Sequence, residues 1–209
     1  VIVDGGSYRV GSIAMKSNVT LKIAKGSSLV ASRSGGDMNL GCVIYANGCE
    51  NIRLTGPGKV CGEGNYYSLK ALKTPLLTPL EYTDSVVMRY QYMSRVRFPH
   101  ASKYGGIASI FNSRNVTVEN IVFENSAHWT LKFDNCSDVA VDRFIINNNR
   151  HIGNADGIDI LYSRDVEIGN SFISTADDGI VLKNWSADKI IENVHIHDCE
   201  VMSCTNSFK

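Results

Sequence analysis

The chain has 209 residues, 21 of them basic and 21 acidic, for a formal net charge of zero, and 44% are hydrophobic. That length supports one domain with a sizeable core, and the charge balance argues against a general nucleic-acid or membrane-surface binder. No apolar run approaches the roughly 20 residues of a membrane span.

The first residue is Val1, no charged-then-apolar leader opens the chain, and Ser207-Phe208-Lys209 breaks off in mid-pattern. The expectation is a single domain over residues 1–209, incomplete at its C-terminus.

A repeat organises the chain. It reads Ser17-Asn18-Val19-Thr20-Leu21, then Glu50-Asn51-Ile52-Arg53-Leu54, then Arg114-Asn115-Val116-Thr117-Val118. It continues as Ser137-Asp138-Val139-Ala140-Val141, Arg164-Asp165-Val166-Glu167-Ile168 and Glu192-Asn193-Val194-His195-Ile196. From Asn115 onward the units recur 23, 27 and 28 residues apart. A period of that size points to a solenoid. Within each unit apolar and polar residues alternate, as in a half-buried strand, and helical periodicity is nowhere sustained. The units are too short for propeller blades. They predict an all-β fold, a right-handed parallel β-helix of short strands. Val and Ile would stack inward, and the recurrent Asn would pair its amide with the next coil.

Residues 63–104 break the pattern. They hold five Tyr before Tyr104 (66, 67, 82, 90 and 92), six basic side chains and three of the four Pro. This stretch reads as a loop excursion from the coil, suited either to binding or to packing over the scaffold. The six Cys (42, 49, 61, 136, 199 and 204) include no CxxC pair. Buried free thiols are expected, with Cys199 and Cys204 as the pair able to close a short disulfide in an oxidising compartment.

The chemistry concentrates in Asn154-Ala155-Asp156-Gly157-Ile158-Asp159 and in Thr175-Ala176-Asp177-Asp178-Gly179. Asp156 precedes Asp177 and Asp178 by 21 and 22 residues, close to one turn of the repeat. Corresponding residues of successive coils lie ~4.8 Å apart, so the three carboxylates should share a cleft. Clustering them costs repulsion and raises at least one pKa, which suits a proton donor beside ionised neighbours.

The two acidic segments at this spacing resemble the signature of the polygalacturonase family, glycoside hydrolase family 28. Upstream, Lys16-Ser17-Asn18-Val19-Thr20-Leu21, Asn51-Ile52-Arg53-Leu54-Thr55-Gly56-Pro57-Gly58 and Trp129-Thr130-Leu131 resemble its coils. The resemblance implies hydrolysis of α-linked galacturonic-acid-type (pectic) chains with inversion. Asp177 would be the general acid, and Asp156 and Asp178 would hold and activate the water. It also implies no cofactor, no metal, a polysaccharide or oligosaccharide partner, and a secreted or periplasmic location. Where the family has Thr and Cys, this chain has Ala155 and Gly179. Its Gly-His-Gly is replaced within Cys204-Thr205-Asn206-Ser207-Phe208-Lys209, which contains no His.

Lys183 could reach a substrate carboxylate or pair with an acid. His151 and His128 could edge the cleft, and Asp159 would support it. His195 and His197 alternate on one strand, a pattern expected of a solvated face, with a two-His metal site as the alternative. Two further classes remain in view. One is a polysaccharide lyase whose Asp cluster holds Ca²⁺; the other is a non-catalytic carbohydrate-binding β-helix.

Overall fold

The computed structural model describes residues 1–71 and 106–209, with the side chains of 68–71 excepted. Most of the expected excursion over 63–104 therefore lies outside the described residues. The part inside it forms a helix, Gly64–Ala71, which no periodic apolar stripe announces. Its docking explains it. Gly64 N–H donates to the Asn125 carbonyl at 2.7 Å, and Asn65 N–H to Asn125 Oδ1 at 3.0 Å. Buried Tyr67 sends its hydroxyl to the Ser32 carbonyl.

The other described residues form a right-handed parallel β-helix. Each full coil carries three short strands on three flanks. The first flank stacks Thr20–Ile23, Glu50–Thr55, Arg114–Glu119, Ser137–Asp142, the start of Arg164–Thr175 and Glu192–Ser203. The second stacks Ser28–Ala31, Lys59–Cys61, Val122–Glu124, Ile145–Asn147 and the end of Arg164–Thr175. A separate sheet forms the third, from Cys42–Asn47 through Gly106–Phe111, Leu131–Asp134 and Ile158–Leu161 to Ile180–Lys183.

Inward positions stack in register. Ile52, Val116, Val139, Val166 and Val194 form one column, and Leu54, Val118, Val141, Ile168 and Ile196 the next. Phe123, Phe133 and Phe144 are fully buried between the flanks, each contributing about 1.5–3 kcal/mol of apolar burial. Strand alternation places Phe123 and Phe133 inside.

The repeat's Asn or Asp has a backbone reason. Asn18, Asn51, Asn115, Asp138, Asp165 and Asn193 all have φ between 52° and 63°, where most L-residues cost energy and Asn or Asp costs least. Asn51 Nδ2 donates to Asn18 Oδ1 at 2.8 Å, and Asn115 Nδ2 to Asn51 Oδ1 at 2.7 Å. Asp138, lacking an amide, interrupts the ladder. Asn115→Ala loses the bond to Asn51 and strains the turn. It should lower stability by about 1–3 kcal/mol, and Asn115→Gly should recover the backbone part. Thermal unfolding of the two variants checks this.

The six cysteines are free thiols. Burial pushes Cys42 and Cys136 up to about 11. Cys199 and Cys204 do not form the short disulfide. Cys199 Sγ contacts the His197 carbonyl at 3.2 Å, and Cys204 Sγ the Arg150 carbonyl at 3.6 Å.

Candidate active site

Backbone register builds the site. Gly157 N–H donates to the Asp178 carbonyl at 2.9 Å, and Gly179 N–H to the Asn206 carbonyl at 2.8 Å. Asp156, Asp178 and Asn206 therefore sit one above another on three successive coils, where the second flank turns into the third. The glycines after the acids permit this. A Cβ on Gly157 would lie 2.4 Å from the Gly179 carbonyl oxygen, and one on Gly179 would lie 2.5 Å from that of Ser207. Ala155, buried against Ile152 and Ala176, fills a small apolar pocket behind the acids.

Asp177 is half-buried on the bend between strands. Its Oδ2 accepts from Asn154 N–H at 3.1 Å, and its Oδ1 from Asp178 N–H and Thr205 Oγ1, each at 3.1 Å. Asp178 is 4% exposed. Its Oδ1 accepts from Asn206 Nδ2 at 2.7 Å and Thr205 Oγ1 at 3.1 Å, and its Oδ2 from Lys209 Nζ at 3.0 Å. Burial pushes the Asp178 carboxyl up. The hydrogen bonds from Asn206, Lys209 and Thr205 more than offset that, and its pKa lies below the ordinary value.

Asp156 is 2% exposed. Burial raises its pKa, opposed by the Lys183 ammonium and reinforced by the charges of Asp177 and Asp178. Lys183 Nζ donates to Asp156 Oδ2 at 2.8 Å, while buried Oδ1 has no hydrogen-bond partner among the described residues. Asp159 is fully buried and ion-paired with the same ammonium. Apart from that ion pair, neither Asp159 oxygen has a hydrogen-bond partner among the described residues. Burial first, then the Asp156 charge, raise its pKa well above the ordinary value. Two buried carboxyls thus share one ammonium, and Asp159 is the one that keeps its proton more readily. The two acids in turn hold the Lys183 pKa up against burial.

Of the residues singled out from sequence, Asp156, Asp177, Asp178, Asp159 and Lys183 come together. Asp159, expected to support the site, is fully buried and shares the Lys183 ammonium with Asp156. The Lys183 ammonium is engaged by the two acids. His128 is half-buried beside Trp129, ring centroids 5.2 Å apart. His151 is half-buried on the turn before Asn154, its N–H on Asn149 Oδ1 at 2.9 Å.

Thr205, Asn206 and Lys209, which sequence alone did not single out as site residues, donate to Asp177 and Asp178. Their signal was their place one coil beyond Asp178. The sequence reading also missed the aromatic wall. Lys183 Nζ lies 3.8 Å from the Trp129 ring centroid, and the Trp185 ring, 68% exposed, is 6.3 Å from that of Trp129. Such a wall beside acids suits a sugar face.

A parallel coil with a carboxylate cluster at the bend between two flanks and an aromatic wall beside it has the architecture of a β-helical carbohydrate-active protein. Residues 99–207, just over half of the chain, match the family model described as glycosyl hydrolases family 28, and the chain belongs to that family. It is 24% identical over 215 residues to the endo-polygalacturonase of Pectobacterium carotovorum subsp. carotovorum, covering 94% of this chain and 50% of that one. It is 31% identical over 81 residues to the polygalacturonase of Persea americana, covering 39% of this chain and 18% of that one. The exopolygalacturonase structure from Thermotoga maritima superposes with a TM-score of 0.76 at 21% identity, covering 98% of this chain and 52% of that one. The chain thus spans half or less of the length of these curated relatives.

Proposed function

We propose that this chain carries the catalytic centre of an inverting hydrolase of α-linked galacturonic-acid-type polysaccharide. The convergence of Asp156, Asp177 and Asp178 from adjacent coils carries the reading. Its substrate class rests on the relatives, named as polygalacturonases. Asp177, on the exposed side of the cluster, gives its proton to the leaving glycosidic oxygen as the bond to the anomeric carbon breaks. Asp156 and Asp178 hold a water on the opposite face and take its proton as the new C–O bond forms. The raised pKa of Asp156 and the lowered pKa of Asp178 leave the pair able to hold water and accept a proton in turn.

The cluster is already met by two ammoniums, Lys183 and Lys209, so the acids need no cation to offset their charge. Polymeric substrate and a secreted or periplasmic location follow from the same reading. The test is product analysis on a panel of pectic polysaccharides. New reducing ends of inverted anomeric configuration are expected. An unsaturated, ultraviolet-absorbing product lost on chelation would instead indicate a lyase, and tight binding without new reducing ends a non-catalytic module.

A further inference from the structure

The outer face of the first flank carries a second cluster of chemistry-bearing side chains, on a different flank from the acids. Glu167 is in register with His195, and Gly169 with His197, on the strands Arg164–Thr175 and Glu192–Ser203. One ligand atom from each of Glu167, His195 and His197 lies within 4.8 Å of the others. Ligands ~2.1 Å from a tetrahedral ion sit roughly 3.4 Å apart, so small side-chain rotations close the set.

Two features mark this as more than a solvated strand face. First, Gly169 leaves the space that the His197 ring occupies: a Cβ there would lie 2.4 Å from Cε1 and 2.5 Å from Nε2. Any larger residue at 169 would drive the ring away from Glu167. Second, His197 Nδ1 is 2.9 Å from Asp198 Oδ2, while Nε2 faces Glu167 Oε1 at 3.3 Å. With Nδ1–H on Asp198, the Nε2 lone pair points at a carboxylate. That arrangement needs a cation between them, either a proton or a metal. A carboxylate behind a ligating imidazole is the usual support of a metal-bound His. The His195 and His197 rings stack at 4.9 Å, and shallow grooves of about 400 and 250 Å³ meet at Glu167, leaving room for a fourth, exchangeable ligand.

We propose that Glu167, His195 and His197 form a three-ligand site for a borderline divalent cation of the Zn²⁺ class, with Asp198 orienting His197. Imidazole nitrogens favour such ions over Ca²⁺ or Mg²⁺. The ion would tie neighbouring coils together through side chains. The site does not rest on the hydrolase reading, because it shares no residue with the acidic cleft.

The test is calorimetric titration of the protein with Zn²⁺ alone, with Mg²⁺ as control. One equivalent of Zn²⁺ should bind. His195→Ala or Glu167→Ala should weaken binding at least tenfold, and Asp198→Asn, which leaves all three ligands, by about 10–100-fold. X-ray absorption should report nitrogen and oxygen ligands, and circular dichroism an unchanged fold in these surface variants. Absence of saturable binding would show that a proton alone bridges His197 and Glu167. Sulfur in the coordination shell, or undiminished binding in a His195→Ala/His197→Ala double variant, would place the ion on the thiols. Any of these three results overturns the site.

Discussion

Asp177→Asn should lower kcat on polymeric substrate by about 10²–10⁴-fold while the protein stays folded. The fold survives because an amide keeps one oxygen for the Thr205 and Asp178 donors and gives up the bond from Asn154, a loss of about 1 kcal/mol. A general acid leaves a further signature. With an aryl glycoside, whose leaving group departs without a proton, the variant should recover much of its deficit. An equal loss on both substrates would show that Asp177 does not protonate the leaving oxygen. Near-normal activity on polymer would remove the proposed mechanism altogether.

Lys183→Met should have the largest effect on stability. It leaves Asp156 and Asp159 buried with no countercharge, a loss of about 3–5 kcal/mol at neutral pH. For a chain of this size that is roughly 6–20 °C in Tm. The loss should depend on pH. Burial raises the folded pKa values of Asp156 and Asp159 above the ordinary aspartate value of 3.8, so the native state holds protons that the unfolded chain releases. That contribution is complete below 3.8 and is lost as pH rises through the raised values. Without the ammonium both values climb further. The variant should therefore be weakest at neutral pH and approach the wild type in acid, where both carboxyls are protonated. Lys183 itself, its pKa held above the ordinary lysine value by the two acids, stays charged throughout that range. A loss independent of pH would mean that Lys183 acts by packing alone. On the proposed mechanism, in which Asp156 accepts a proton from water, the same substitution should also move the acid limb of kcat/KM to higher pH.

The coil was legible before any coordinates because its rules are local and repeat. A residue with φ near 55° at each turn selects Asn or Asp, alternation selects Val and Ile inside, and repetition every 23–28 residues makes the pattern visible. The acidic segments were legible for the same reason: one lap of the coil converts a sequence separation of about twenty into a spatial neighbour. The helix Gly64–Ala71 was not legible, because what holds it is Asn125 and Ser32, distant in sequence, rather than its own periodicity.

By itself, then, the sequence determined the β-helix, the turn residues and the candidate acids, since each follows from short-range backbone preference multiplied by a period. Only the tertiary structure decided the protonation balance and the partners. Asp156 and Asp159 share one ammonium, Asp178 is held by Thr205, Asn206 and Lys209, and Glu167 meets His195 and His197. The reason is physical. Desolvation and charge pairing depend on which side chains the stacked coils press together and how much water they exclude, and no single segment of the chain encodes either.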